Sequence, residues 1–352
     1  MRDLVTEWSE RIRQAAAAGE PLCIHGGGSK DFYGGIRQGA LLDTSDYRGI
    51  VEYEPTELVL TARAGTPLAE IERTLAEQGQ MLAFEPPHLG PAATLGGAIA
   101  CGLSGPRRAA AGSARDFVLG ARILDGRGDE LAFGGKVMKN VAGYDVSRLM
   151  VGAMGTLGLL LDVSLKVLPE SAHELTLRFE LDQAAAIRRM NEWAARPYAI
   201  SATCHEERVL AIRLSGTQAG VEALARQLGG ERVPDSAEFW RAVREQQCSF
   251  FRGAATLWRL SVKPTAPGLA LAGPQLLEWN GALRWVRTDA DPAEVRKLAH
   301  KAGGHATWYR GAAERADVFH PLAEALMRLH RRLKQTFDPA GVLNRGRLYP
   351  DL

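Results

Sequence analysis

The residues of this chain best placed to do chemistry carry almost no side chains. The run Thr94-Leu95-Gly96-Gly97-Ala98-Ile99-Ala100-Cys101-Gly102-Leu103-Ser104-Gly105 is nearly all small or apolar. It follows a turn-rich approach, Phe84-Glu85-Pro86-Pro87-His88-Leu89-Gly90-Pro91. Glycines at this density predict a poor helix, each costing about 1 kcal/mol against alanine. They also predict a poor strand, with few side chains to pack. What remains is bare backbone, whose N–H groups can close on a phosphate or a flat ring. A second patch, Ile24-His25-Gly26-Gly27-Gly28-Ser29-Lys30, lies upstream, and a third, Val151-Gly152-Ala153-Met154-Gly155-Thr156-Leu157-Gly158, downstream. Three such patches in the first half point to one large ligand touched at several points. Thr94, Gly96, Gly97 and Gly102 join Gly26, Gly27, Gly28, Ser29, Gly155 and Gly158 as candidate contacts.

Two common phosphate cradles do not match. A GxGxxG turn needs a final helix-packing glycine and an acidic residue about 20 positions later, and Gly26-Gly27-Gly28-Ser29 has neither that spacing nor an immediate helix. The GxxxxGK[ST] pattern is absent. His25 reads as a packed strand residue. Asp116 is a candidate contact, with a structural ion pair to Arg115 as the alternative.

The elements that must position these residues alternate irregularly, in an α+β rhythm. A helix is expected over 3–18, ending at Gly19, and strands over 21–25, 40–43, 49–53 and 58–64. A helix should follow, with Thr66 as N-cap, Pro67 as first residue and Gly79 as terminator. Strands at 117–124 and 130–133 flank the turn Asp125-Gly126-Arg127-Gly128-Asp129. A helix is expected over 144–150 and a long apolar strand over 157–167. Beyond about residue 171 glycine thins out and strands alternate with helices, predicting a small α+β sandwich of ferredoxin-like type. Residues 264–274 read as loop, and 321–337 as an amphipathic helix with Leu322, Leu326, Leu329 and Leu333 on one face. No internal repeat is visible.

The totals bound the class. With 352 residues the chain has room for two domains, and 46% hydrophobic and 24% charged residues are typical of a soluble globular protein. A net charge of +2 gives no case for nucleic-acid binding. The N-terminus does not read as a signal peptide, and no apolar run reaches the roughly 20 residues needed to span a bilayer. The four cysteines, Cys23, Cys101, Cys204 and Cys248, are scattered without a CxxC pair. That argues against structural zinc or an iron–sulfur cluster and suits a reducing cytoplasm.

Taken in order, the motifs resemble the FAD-binding (PCMH-type) domain of the vanillyl-alcohol oxidase / p-cresol methylhydroxylase family. They are Ile24–Ser29, Ala64-Gly65-Thr66-Pro67-Leu68-Ala69-Glu70, Thr94–Gly97, Arg115–Gly120, Asn140-Val141-Ala142-Gly143-Tyr144-Asp145 and Gly155–Gly158. The ending Phe337-Asp338-Pro339-Ala340-Gly341-Val342-Leu343-Asn344-Arg345-Gly346 resembles the D-2-hydroxyacid oxidase/dehydrogenase branch. The run from Gly135 to Val146 resembles the smaller FAD-binding subunits of bacterial glycolate oxidases.

The resemblance implies an α+β fold: a two-subdomain PCMH-type FAD-binding domain over 1–170, a smaller ferredoxin-like cap over 171–318, and a helix and tail over 319–352 that return to the first domain. It implies non-covalent FAD, with the Gly26–Ser29 turn and the Thr94–Gly105 run donating N–H groups to the pyrophosphate without help from lysine. Pro87 and Gly90 would also contact the cofactor, Gly155 to Leu160 would lie near the adenosine half or the ring edge, and Asn344 near the isoalloxazine. It further implies oxidation of a small 2-hydroxyacid such as glycolate, which needs a carboxylate anchor, a base and a hydride acceptor. The histidine-rich metal signature of related catalytic subunits, GHxGDGNxH, is replaced by Ala302-Gly303-Gly304-His305-Ala306-Thr307-Trp308-Tyr309-Arg310-Gly311, so no metal is expected. Arg244, Arg259 and His305 are the catalytic candidates, with Arg244 on a helix, Arg259 in a strand and His305 in a glycine-flanked turn. The expected partners are a larger FAD-binding catalytic subunit and an iron–sulfur subunit, through which a cytoplasmic chain would reach the membrane's inner face.

Overall fold

The computed structural model describes residues 3–135, 145–253, 255–311, 315 and 317–352. The expected helix start at Tyr144 and most of the Gly135–Val146 run, including Asn140, lie outside the described residues.

Helix α1 (Leu4–Ala18) is capped by Asp3, whose carboxylate accepts from Thr6 N, and stops at Gly19 with φ 70°. It buries Trp8, Ile12 and Ala15. Strands β1 (Leu22–His25) and β2 (Ala40–Asp43) form a parallel pair, and Leu22 also bridges in parallel to Leu343 of the tail. Next come β3 (Ile50–Glu54), β4 (Val59–Arg63), α2 (Leu68–Ala76), β5 (Gln80–Met81), α3 (Leu95–Cys101), α4 (Arg108–Ala111) and α5 (Ala114–Phe117). β6 (Val118–Leu124), β7 (Glu130–Gly134), α6 (Val146–Leu149), β8 (Leu159–Lys166) and β9 (Leu168–Pro169) complete the first half. An antiparallel sheet runs β3-β4-β8-β6-β7. Its central strands, with α2 and α3, enclose a core that includes Leu60, Leu68, Ile71, Leu95 and Ile99.

The second half contains β10 (His173–Glu180), α7 (Gln183–Ala194), β11 (Ile200–Glu206), β12 (Val209–Gly216), α8 (Gln218–Leu228), β13 (Glu231–Arg232) and α9 (Ser236–Arg244). β14 (Leu257–Ser261), β15 (Gln275–Glu278), β16 (Leu283–Arg287), α10 (Pro292–Lys301), β17 (His305–Arg310) and α11 (Glu324–Phe337) follow. One antiparallel cap sheet runs β13-β10-β12-β11-β15-β16-β14-β17. Its first four strands have the ferredoxin-like order 4-1-3-2, and its last four have the same order reversed. The halves join at β11–β15. The second lacks the first helix of the motif, its place taken by the proline-rich loop at 264–274. This is a repeat of topology that the sequence does not display. One face of the sheet packs on α7, α8 and α10, while the other meets the N-terminal half through Tyr33, Leu103 and Met154.

Several expectations are corrected. Within the run 94–105 the residues of α3 do form a helix: Thr94 caps it by accepting from Gly97 N, Gly102 ends it with φ 63°, and Leu95, Ala98 and Ile99 are buried. Tertiary burial outweighs the propensity cost of two glycines. Thr66 does not cap α2, whose N-cap is Pro67; the Thr66 hydroxyl instead bonds the backbone of Gly49. His305 opens strand β17 and is not in a turn. In α11 the apolar face is only half covered. Leu333 and Phe337 pack on the core, while Leu326 and Leu329 are each 51% exposed.

Candidate functional site

Two adjoining clefts open where β1, α3, the Val151–Gly158 loop and the tail meet. The first, of about 430 Å³, is lined by Ile24, Gly26, Thr44, Ala64, Gly96, Gly97, Ala100, Gly155, Gly158, Leu160 and Asn344. The second, of about 550 Å³, shares Ile24, Gly26, Gly97, Ala100 and Asn344 and continues past Gly27, Gly28, Ser29 and Thr94 to Lys30, Asp31, Arg37 and Arg347. The three glycine patches therefore converge on one elongated space. Its first part is walled by bare backbone and small apolar groups, and its second part is cationic.

The loop after β1 supplies the anion chemistry. Among the described residues, none of the peptide N–H groups from Gly26 to Lys30 donates to a protein acceptor. Five successive uncommitted amides form the kind of concavity that holds a phosphate. Gly27 leaves no alternative to glycine, because a Cβ there would lie 1.4 Å from the Ala92 carbonyl oxygen. The α3 run is different, and the expected donation from it is corrected. Leu95 N donates to Thr66 O at 2.9 Å, Gly96 N to Ala64 O at 2.7 Å, and Gly97 N to Thr94 Oγ1 at 3.3 Å. Those amides are spent inside the protein, so α3 contributes a wall and the Thr94 hydroxyl.

Cations missed in the sequence stand beside the loop. Lys30 is buried, and its Nζ reaches Ser29 Oγ at 3.3 Å and His88 O at 3.1 Å. Burial pushes its ammonium below the ordinary lysine value. The Arg37 guanidinium touches Asp31, His25 Nδ1 at 3.2 Å and Cys23 Sγ at 3.3 Å. Arg347 donates to the carbonyls of Gly35 and Tyr33. The expectation that no lysine is involved is therefore replaced by a cleft that, among the described residues, carries three cations and one carboxylate. Lys30 had a signal, standing directly after the glycines. Arg37 and Arg347 had none, since only the folded tail brings them there.

Asn344 closes the cleft. Its Oδ1 accepts from Ile24 N at 2.7 Å, and its Nδ2 donates to Met154 O at 2.6 Å. It sits where the two clefts join, opposite Gly155. Four other candidates line neither cleft, and one of them, Pro87, lines a separate cavity against the cap sheet. Gly90 sits against Ser29, Gly102 packs on Gly152, and the Asp116 carboxylate caps α5 through Ser113. Asp116 is helix-capping rather than ligand-facing.

The catalytic candidates lie elsewhere, at the junction with the cap sheet. Arg244 and Arg259 line a third, narrower cavity with Pro87, Ser104, Gly105, Gln246, Glu278, Trp285 and Tyr309. Arg244 is consumed by carboxylates, reaching Glu72 Oε1 at 3.0 Å and Glu245 Oε1 at 2.8 Å. Burial alone would raise the Glu72 carboxyl, but His88 and Arg244 bring it below its ordinary value. Glu245 in turn accepts from Leu89 N at 2.8 Å. Arg244 thus ties the cap to the N-terminal half. His305 lines none of the three spaces, and burial lowers its imidazole pKa. Arg259 makes no hydrogen bond or ion pair among the described residues; its guanidinium rests 5.2 Å from the Trp279 ring and 5.9 Å from that of Trp285.

Comparison with known proteins matches this arrangement. A family model described as "FAD binding domain" covers residues 5–134. Over 343 residues the chain is 50% identical to glycolate oxidase subunit GlcE of Escherichia coli (strain K12), spanning 97% of each. This chain belongs to the GlcE family of glycolate oxidase subunits. A shorter match, 33% identical over 128 residues, joins 36% of this chain to 27% of glycolate oxidase subunit GlcD of Bacillus subtilis (strain 168). In fold, the chain is similar to alkyldihydroxyacetonephosphate synthase, with a TM-score of 0.65 at 15% identity over 96% of this chain and 74% of that one. FAD is the family's cofactor, and the residues fit it. A dinucleotide needs an anion cradle between two slots, and the uncommitted amides of 26–30 beside Lys30 and Arg37 lie between the glycine-walled cleft and the cap. No helix among the described residues is long and apolar enough to cross a membrane.

Proposed function

We propose that this chain is the FAD-binding subunit of a multi-subunit glycolate (D-2-hydroxyacid) oxidase, built as an FAD domain over 1–170, a cap over 171–318 and a returning tail over 319–352. Gly26 to Lys30 would hold the pyrophosphate, with Thr94 and Arg37 alongside. Gly96, Gly97, Gly155, Gly158 and Leu160 would wall one end of the cofactor, and Asn344 would lock its middle. When bound, FAD supplies a two-electron acceptor for the carbon-bound hydrogen of a 2-hydroxyacid. The electrons would leave through partners, a larger FAD-binding subunit and an iron–sulfur subunit, at the cytoplasmic face of the membrane. The observation that carries the reading is the convergence of three remote glycine patches on one cleft with five free amides, in a chain 50% identical to a glycolate oxidase subunit.

A second reading, an assembly or relay subunit, is favoured by one feature. Much of the inner face of the cap sheet is filled by Tyr33, Leu103, Trp240, Trp285 and Tyr309. Purification alone and with partners separates them. A flavin-loaded chain that bleaches with glycolate on its own supports oxidation here. A flavin that stays oxidised until the partner subunits supply electrons supports the relay, and a chain that never retains FAD refutes both.

A further inference from the structure

The cavity at the domain junction holds two ionisable groups that the packing does not explain. Arg259, on β14, stands directly across from Trp285 on β16 in the antiparallel register. The Trp285 indole Nε1 donates to Glu278 Oε1 at 2.8 Å. Trp285 thus connects an arginine with no carboxylate partner among the described residues to a buried carboxyl whose side chain has, among those residues, that one bond. Buried carboxyls are ordinarily paired or well bonded. An arginine bracketed by two indoles is pre-organised, and its forked donors suit a planar carboxylate.

The surroundings bring Glu278 to the point where both its protonated and its ionised forms are accessible near neutral pH. Burial pushes its carboxyl up to about 7, against the Trp285 bond and Arg259, with Glu85 adding to the rise. Cys204 is its partner across β11–β15, and Cys248 lies nearby. Burial raises both thiols, Cys248 to about 12, so both are uncharged at neutral pH. Glu206, on the same strand as Cys204, is also raised by burial. Across the cavity Arg244 is neutralised by Glu72 and Glu245, and the Tyr309 hydroxyl accepts from Gln246.

We propose that Arg259 and Glu278 form a binding site for the carboxylate of a small 2-hydroxyacid, and that Glu278 takes up one proton as the anion binds. Arg259 supplies the charge, and the protonated Glu278 donates a hydrogen bond that its ionised form would replace with repulsion. The walls, Pro87, Leu103, Pro106 and Leu283 among them, close a narrow cleft around the two groups. The identity of the acid rests on the oxidase-subunit reading; the site itself does not.

The test titrates the FAD-loaded chain with glycolate, and with acetate as the analogue lacking the hydroxyl, at pH 6 and pH 8. Calorimetry and tryptophan fluorescence, through Trp279 and Trp285, report binding. A site that requires one proton on a group titrating near neutrality loses about tenfold in affinity between those pH values. Arg259→Met should abolish binding while flavin per chain is retained. Glu278→Gln keeps an N–H donor at every pH, so its binding should be pH-independent and at pH 8 about tenfold tighter than the parent's. General damage to the cap would not tighten binding. Absence of saturable binding, pH-independent binding by the parent, or parent-like binding by Arg259→Met overturns the proposal. Loss of FAD from the parent chain would instead count against the cofactor reading, and the carboxylate titration would still decide this one.

Discussion

Lys334→Met should cost about 3 kcal/mol of stability and loosen the cofactor cleft. Lys334 is the buried residue of α11, and its Nζ donates to Thr156 O at 2.9 Å and Leu343 O at 2.8 Å. It also lies 2.7 Å from Asp338 Oδ2. Asp338 is 1% exposed and accepts from Val342 N at 3.1 Å and Leu343 N at 2.7 Å. Removing one member of a buried ion pair costs roughly 3–5 kcal/mol, because the other charge is left uncompensated. Asp338 keeps two backbone donors, which places the loss near the lower end. The effect should reach the ligand, because Leu343 precedes Asn344 and Thr156 follows Gly155, the two residues facing each other across the cleft. Urea unfolding by tryptophan fluorescence measures the first effect, and flavin retained per chain measures the second. Adding Asp338→Asn completes a cycle. It removes the stranded charge, so the double variant should lose less than the sum of the two single changes. A loss below about 1 kcal/mol for Lys334→Met, or full flavin retention, would refute the idea that this pair holds the tail against the cleft.

Gly155→Ala places a methyl 2.6 Å from Asn344 Nδ2 at φ 72°, so flavin content should fall. Gly152→Ala, at φ 81° with nothing within 4 Å, controls for the backbone strain of about 1–2 kcal/mol alone. Arg244→Met should lower the unfolding midpoint by the equivalent of about 1–3 kcal/mol, since it leaves Glu72 and Glu245 without their cation; an unchanged midpoint would show that this link does not hold the cap. His205 is buried with Nε2 bonded to Leu181 O at 2.9 Å, and burial lowers its pKa. The unfolded chain then binds the proton first, so stability should decline as pH falls through about 6.5 and level off below the folded value. His205→Gln should flatten that stretch of the stability–pH curve, and an unaltered curve would assign the decline to other groups.

The cofactor cleft was legible where its chemistry is local. A glycine patch marks itself by what it lacks, and Gly26 to Ser29, Gly96–Gly97 and Gly155–Gly158 could be grouped without knowing how the chain folds. The assignment of donors was not legible, because it depends on which amides the fold has already used. The amides of Leu95 and Gly96 are spent on Thr66 and Ala64, whereas those after His25 are not, and nothing in glycine content separates the two. The helical state of α3 was hidden for the same reason. Thr94 and the buried face of Leu95, Ala98 and Ile99 decide it, and burial is a property of the partners. Glu278 carried no signal at all: strand β15 follows a proline-rich loop, and its carboxyl acquires meaning only when Trp285 and Arg259 arrive from two other strands.

The duplicated topology of the cap gives the two halves different tasks on the same face. In the first half the inward-facing charges are used for docking. Arg213 reaches Glu85 Oε1 at 2.8 Å, Arg107 also bonds Glu85 through its backbone at 2.8 Å, and Glu174 closes the set with Arg107. In the second half Trp279 anchors to the same loop, its indole N–H donating to Gly105 O at 3.0 Å with Arg108 stacked 4.4 Å from the ring. Arg259 is held by that anchored indole and pairs with no carboxylate among the described residues. A motif whose two copies were both neutralised against the N-terminal half would be scaffold alone. Here one copy fixes the sheet in place, and that fixation lets the other present an uncompensated arginine beside a near-neutral carboxyl without the cap moving to quench it.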